Sequence, residues 1–156
     1  MGGAIERFER AAREAGLSVE VRRFPQGTRT AADAARAIGC EVAQIVKSLV
    51  FVADGEPVVA LTSGANRVDP ERLAAELGAS SVRRATPEEA RRATGFAIGG
   101  TPPLGYPGPV RRLVDRDLLA LDELWAAAGT PDAVFRTTPR ELLRVTGARP
   151  AAIAER

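Results

Sequence analysis

The chain has 156 residues, of which 45% are hydrophobic and 27% charged, and it contains no histidine. The absence of histidine excludes Ser-His-Asp triads, Cys-His pairs and histidine-based metal sites. The net charge of +2 is too small to identify a nucleic-acid partner, and no apolar run approaches the ~20 residues that cross a bilayer.

A chain of this length predicts one domain over residues 1–156, because about 150 residues can bury a substantial core. Cys40 is the only cysteine, so no intrachain disulfide can form and a reducing compartment is expected. The first residues show no basic segment followed by an apolar stretch, as a signal peptide would. These features predict a cytoplasmic protein.

The first forty residues predict two helices with a short strand between them. Apolar residues at helical spacing mark a helix over 5–15, and alternation from Val19 to Phe24 marks the strand. Thr30 begins the second helix as its N-cap, and Gly39 ends it. The loop 26–29 thus leads into a helix N-terminus, where free backbone amides favour anions.

A lysine interrupts the next apolar run, from Gln44 to Val52. This run and the segment 58–62 flank an Asp-Gly turn, which predicts a β-hairpin. Both faces of the first strand are apolar except at Lys47 and Ser48, so the strand is predicted to be central. Burying an ammonium without a partner costs several kcal/mol, so Lys47 indicates a site for an anionic or polar group. The alternative is a lysine whose stem packs on apolar neighbours while its head reaches water.

Two helices with N-caps follow, beginning at Asp69 and Thr86, with a short strand over 81–83 between them. The segment 99–105 is the densest stretch of glycine and proline in the chain. Prolines fix φ and glycines allow close approach by a ligand, so this is a shaped loop, although an ordinary turn between strands would look similar. Its spacing fits neither a Walker loop nor a dinucleotide fingerprint.

The last third predicts strands over 110–114 and 133–136 and a final helix capped at Thr138. The segment 118–128, which holds Trp125, is compatible with either helix or strand. Strands and helices alternate without a strict βαβ rhythm. The chain is therefore predicted to be a mixed α/β (α+β) domain, with helices flanking a curved mixed sheet.

Four segments in this order resemble the YbaK and prolyl-tRNA synthetase editing-domain family. They are 30–35, 44–51 around Lys47, 95–105 with its glycine and proline loop, and 125–131 followed by 141–148. The resemblance covers nearly the whole chain. It implies a free-standing aminoacyl-tRNA deacylase, which hydrolyses the ester that joins a wrong, small amino acid to the 3′ end of a tRNA.

The resemblance also implies a set of site residues. The family's lysine matches Lys47, which would act as the catalytic residue beside the scissile ester. The substrate-binding positions that it implies are Thr30, Ser48, Gly99, Gly100, Thr101, Pro102, Pro103, Gly129 and Thr130. No metal and no cofactor is expected. The expected partners are a mischarged tRNA and an aminoacyl-tRNA synthetase, with no membrane.

Relatives that edit alanine carry a histidine near the turn that matches Gly129 and Thr130, and this chain has none. The resemblance therefore leaves serine, threonine, cysteine or a small non-standard residue as the edited amino acid. An activated ester can be hydrolysed by positioning a water or the neighbouring ribose hydroxyl and by stabilising the oxyanion. The alternative function is a non-catalytic module that binds a tRNA end or a nucleotide, or docks on a synthetase.

Overall fold

A computed structural model describes residues 3–25, 28 and 30–156. Within them lie five α-helices and eight strands, most of which the sequence predicted. The helices are α1 Ala4–Glu14, α2 Ala31–Ile38, α3 Pro70–Leu77, α4 Pro87–Thr94 and α5 Pro139–Thr146. The strands are β1 Val21–Arg23, β2 Ile45–Ala53, β3 Glu56–Ser63, β4 Val82–Arg84, β5 Arg111–Asp115, β6 Leu124–Ala127, β7 Ala133–Thr137 and β8 Arg149–Ala151.

Most helix boundaries are set by local capping. The side chains of Thr30, Asp69, Thr86 and Thr138 each accept a hydrogen bond from a backbone N–H of the first turn. Glycines in the left-handed region follow the last turns of α2 to α5. The N-cap side chains and the C-terminal glycines lie within a few residues of the helix ends, so the sequence could predict these boundaries. The structure confirms them.

The strands form one mixed sheet in the order β1-β7-β6-β2-β3-β5-β8, and β4 also pairs with β2. The β2–β3 hairpin is antiparallel, whereas β6 and β5 add to it in parallel. Helices α1, α4 and α5 cover one face of the sheet around Phe8, Phe96 and Phe135. Helices α2 and α3 cover the other face. The predicted mixed α/β fold, with β2 at the centre of the sheet, is confirmed.

Three features differ from or extend the predictions. The segment 118–128 divides into the end of a 3-10 helix, Arg116–Ala120, and strand β6. Strand β2 begins at Ile45, since Val42–Gln44 forms a second 3-10 helix. Strand β8 was not predicted. In the loop 26–29, residues 26, 27 and 29 lie outside the described part of the chain.

Candidate functional site

The site is built around a gap in the pairing of β2. On the edge of β2 that faces away from β3, β6 pairs only with Ile45 and Val46, and β4 pairs only with residues 51–53. Residues 47–50 lie between these two partners, over about 13 Å at about 3.3 Å per residue. The central strand of the sheet is therefore open along one short stretch.

The direction of the backbone groups at this gap follows from the register. The Val50 carbonyl accepts a hydrogen bond from Ala85 N on the β4 side, whereas the Ile45 carbonyl accepts one from Gly64 N on the β3 side. Since alternate residues of a strand point the same way, the N–H and C=O of Ser48 face the gap. The antiparallel register would place Pro87 opposite Ser48, and a proline has no N–H to donate.

A cavity of about 500 Å³ occupies this gap, within the usual range for small-ligand sites. Its walls come from β2, the first turn of α2, the loop after α4, strand β6 and the turn before β7. The polar lining consists of Thr28, Thr30, Lys47, Ser48, Arg84 and Thr101, and the rest is mainly alanine, glycine and apolar side chains. Both charged residues in this lining, Lys47 and Arg84, are cationic.

Lys47 is half-buried at the cavity, and its Nζ donates a hydrogen bond of 2.7 Å to the carbonyl oxygen of Asn66. None of the ion pairs formed by the described residues includes Lys47. Burial lowers the pKa of Lys47 below its ordinary value, and repulsion from Arg84 and Arg67 lowers it further, while Asp115 opposes them. Two of its three N–H bonds are left for a ligand.

Arg84 and the N-terminus of α2 add to this positive field. The guanidinium of Arg84 lies 5.4 Å from the centre of the Phe51 ring, a cation–π contact that holds an exposed side chain near the cavity. The first turn of the eight-residue helix α2 also lines the cavity, and its free N–H groups carry a partial positive charge. The cavity is thus suited to an anionic or carbonyl-bearing ligand.

Among the residues predicted from the sequence, the cavity brings together Lys47, Thr30, Ser48, Gly99 and Thr101. The hydroxyl of Thr30 is used as the N-cap of α2, and that of Thr101 donates to Ala97 O at 3.0 Å. The Ser48 Oγ is buried beside the hydroxyl of Tyr106, which itself donates to Pro102 O at 2.8 Å. Ser48 therefore presents its backbone to the cavity.

The other predicted positions lie behind the cavity wall. The carbonyls of Pro102 and Pro103 accept hydrogen bonds from Tyr106 and Arg112. Gly100 lies against the turn at 129–130, where Gly129 N donates to Gly100 O at 3.0 Å. The hydroxyl of Thr130 bonds to Asp132, and the neighbouring Pro131 reaches the cavity instead.

Sequence reasoning missed several residues of this site. Trp125, the only tryptophan, lines the cavity, and so do Arg84 and Ile98, an exposed large apolar side chain at 52% exposure. Gly64 lies at the wall, where a Cβ would come within 2.4 Å of Val42 O. A glycine after a strand was visible in the sequence, but its contact with residue 42 depends on the fold.

Among the residues that the structure describes, no group of three His, Cys, Asp or Glu side chains could hold a metal ion. None of the helices in those residues is long and apolar enough to cross a membrane.

Known proteins resemble this chain in sequence and in fold. The sequence profile of the aminoacyl-tRNA editing domain matches residues 25–145. The chain superposes on a candidate trans-editing enzyme for prolyl-tRNA synthetase with a TM-score of 0.94 and 46% identity, covering 100% of this chain and 99% of the other. A hypothetical protein of known structure superposes with a TM-score of 0.88 and 30% identity, covering 96% and 99% of the two chains.

Curated relatives are larger proteins. The chain is 38% identical over 120 residues to the proline–tRNA ligase of Acidithiobacillus ferrooxidans, covering 77% of this chain and 20% of the ligase. For the ligase of Nitratidesulfovibrio vulgaris the identity is 38% over 92 residues, covering 59% and 16%. The chain spans a fifth of these ligases or less. Because the profile matches most of its residues, this chain belongs to the YbaK-type family of aminoacyl-tRNA editing domains.

Proposed function

We propose that this protein is a trans-acting aminoacyl-tRNA deacylase, which hydrolyses the ester of a mischarged small amino acid at the 3′ end of a tRNA. The observation that carries this proposal is the half-buried ammonium of Lys47 in a cavity whose charged lining is cationic. A tRNA end brings negative phosphates and one ester carbonyl to such a cavity. The profile match and the trans-editing neighbour support the same reaction.

The chemistry requires little from the side chains because an aminoacyl ester is already activated. The oxygen of a water bonds to the carbonyl carbon, the bond to the ribose oxygen breaks, and the water's proton ends on that oxygen. The products are a free amino acid and a tRNA with an intact terminal ribose. The Lys47 ammonium and the unpaired backbone N–H of Ser48 stabilise the negative charge that develops on the carbonyl oxygen.

A chain without histidine has no imidazole to accept the proton of the attacking water. In this proposal the neighbouring ribose hydroxyl or a solvent water accepts that proton and gives up one of its own to the leaving ribose oxygen, so the hydroxyl is regenerated. Lys47 remains an ammonium throughout and contributes charge and orientation. Its role is thus electrostatic.

The lining favours a small amino acid. Alanines from α2, β6 and the segment after β4 form much of the wall, and Gly99 and Thr101 form the side of the loop. The Thr101 hydroxyl can still accept a hydrogen bond from a serine, threonine or cysteine side chain. Discrimination against one extra methylene in such a pocket is worth about 1–3 kcal/mol.

A panel of tRNAs charged with alanine, serine, threonine and cysteine tests this function. We expect multiple-turnover release of at least one of these amino acids, in the absence of any synthetase. Adding prolyl-tRNA synthetase to the same assay tests the expected aminoacyl-tRNA synthetase partner, for which the trans-editing neighbour suggests the prolyl enzyme. Quenching of Trp125 fluorescence reports occupancy of the cavity separately from turnover, since this single tryptophan lines it. Tight binding with no release from any ester would favour the non-catalytic module.

The activity should depend on pH through Lys47. Its pKa is lowered from the ordinary value of 10.5, and the reaction uses the charged form. We therefore expect the rate to fall as pH rises through this lowered pKa, at a pH below that at which ordinary lysines lose their proton. Rate measurements at constant ionic strength, with the uncatalysed hydrolysis subtracted, check this. An enzymatic rate that keeps rising through pH 10.5 would contradict the role of the ammonium.

A further inference from the structure

A fully buried carboxylate lies behind the site. Asp115, at the end of β5, is 0% exposed. Its oxygens accept hydrogen bonds from Asn66 Nδ2 at 2.8 Å, Asp117 N at 3.0 Å and Ser63 N at 3.2 Å. No ion pair among the described residues includes it. A buried carboxylate without a cation is costly, so its position calls for a reason.

Asn66 connects this carboxylate to Lys47. Its backbone carbonyl accepts the hydrogen bond from Lys47 Nζ, while its side-chain amide donates to Asp115 and to Asp117, each at 2.8 Å. Asp117 in turn pairs with Arg156 at 3.1 Å. Two carboxylates therefore hold the amide of Asn66, which fixes the carbonyl that receives the ammonium.

We infer that Asn66 and Asp115 form a positioning device for Lys47, in which Asn66 orients the ammonium and Asp115 balances its charge through one intervening residue. This inference rests on the proposed function, because it assigns the device to the group that acts on the ester. Both residues act through Lys47, and neither lines the cavity.

The intervening residue solves a conflict between two requirements. A carboxylate in direct contact would stabilise the ammonium but would occupy its N–H bonds and draw it away from the substrate. A carboxylate that is separated from the ammonium by one residue still stabilises its positive charge, since charges interact strongly in a buried environment. The spacer thus leaves two N–H bonds of Lys47 free for the ester.

The other charges near Lys47 act in the opposite direction. Arg84 approaches from β4 and Arg67 from the segment after β3, and both disfavour the ammonium, as does burial. Asp115 approaches from β5 and favours it. Asp117 accepts a hydrogen bond from the same Asn66 amide and pairs with Arg156, whose charge also acts on Asp115. Asp115 is therefore the charge in this group that favours the ammonium, although Arg84 and Arg67 act on Lys47 more strongly.

A feature of the sequence makes a direct test possible. Lys47 is the only lysine among the 22 basic residues. Protein labelled with 13C-lysine therefore gives one side-chain signal, whose titration reports the pKa of Lys47 without any substrate. The measurement compares the wild type with Asp115→Asn, Asp117→Asn and the control Asp122→Asn, which changes an exposed carboxylate.

An opposite charge within 4–6 Å of a titrating group changes its pKa by roughly 1–3 units. Asp115 acts on Lys47 through Asn66 and without direct contact, so we expect Asp115→Asn to lower the pKa of Lys47 by about one unit or less. Asp117→Asn should give a smaller fall, and Asp122→Asn no change. A general loss of stability would not produce this ranking of pKa changes among the three variants. Identical titrations in the wild type and Asp115→Asn would overturn the role of Asp115.

The orienting role of Asn66 needs a second variant. In Asn66→Ala the carboxylate of Asp115 stays in place, so we expect a fall in kcat with little change in KM, and an alkaline limb of the rate profile near that of the wild type. Asp115→Asn should instead move that limb to lower pH. Unchanged kcat in a folded Asn66→Ala protein would overturn the orienting role.

Asp115 also caps the 3-10 helix Arg116–Ala120, so its variant requires a check of folding by melting temperature and spectral dispersion. If Asp115→Asn does not fold, Asp117→Asn and Asn66→Ala decide the question, and the absence of both expected effects would reject the device. A wild type that hydrolyses no ester would reject the proposed function, while the titrations would still measure the effect of Asp115 on Lys47.

Discussion

Replacing Lys47 by alanine should lower kcat for deacylation roughly 100- to 1000-fold, the loss typical of removing one donor from an oxyanion site. The fold should survive, because the side chain makes one hydrogen bond, to the Asn66 carbonyl, and no ion pair with another described residue. Steady-state release of the amino acid from mischarged tRNA measures the effect. Full activity in a folded Lys47→Ala protein would remove Lys47 from the reaction.

Lys47→Arg is the matched control for charge. It keeps the positive charge but replaces a compact ammonium with a planar guanidinium, which cannot donate from the same point to Asn66 O and to the ester. We expect binding of tRNA, measured by Trp125 fluorescence, to be retained and kcat to stay low. Recovery of the wild-type rate would show that charge alone is sufficient.

Lys47 should oppose folding slightly while it is protonated. Its folded pKa lies below the ordinary value of 10.5, so the penalty is present below the folded pKa and disappears as pH rises towards 10.5. Lys47→Met, which fills a similar space, should therefore melt at the same temperature as the wild type or slightly higher at neutral pH. A lysine kept at some cost to stability is typical of a functional position.

The sequence predicted correctly those parts of the fold that depend on residues close together in the chain. The hairpin around Asp54 and Gly55 and the caps at Thr30 and Thr86 follow from side chains within a few positions, and all appear in the structure. Strand β8 escaped prediction because it has only three residues, including Pro150, and depends on pairing with β5.

The predictable part of the site is also local. A lysine inside an apolar strand and a loop rich in glycine and proline are visible as sequence features, and the structure brings Lys47 to the same cavity as Gly99 and Thr101. The gap in β2 was not predictable, because it depends on where β6 and β4 stop pairing. The connection of Asn66 with Asp115 joins residues 49 positions apart, which no periodicity reveals.

Gly100→Ala should give the second large effect, through the shape of the loop. A Cβ at Gly100 would lie 2.7 Å from Thr130 Cα and 2.9 Å from Gly129 O, both backbone atoms that cannot move without shifting the turn. We expect a loss of about 1–3 kcal/mol of stability, as for an overpacked contact, with a melting temperature lower by several degrees. Displacing the loop that carries Gly99 and Thr101 should also lower kcat roughly 10- to 100-fold.

Gly108→Ala provides the matched control for this prediction. Gly108 belongs to the same connection between α4 and β5, but a Cβ there would meet no atom within 4 Å. Its replacement should leave both the melting temperature and kcat close to those of the wild type. If Gly100→Ala behaves like Gly108→Ala, the contact between the loop and the 129–130 turn does not shape the cavity. A selective loss in Gly100→Ala would mean that this glycine acts by letting two backbones touch, rather than by contacting the ester.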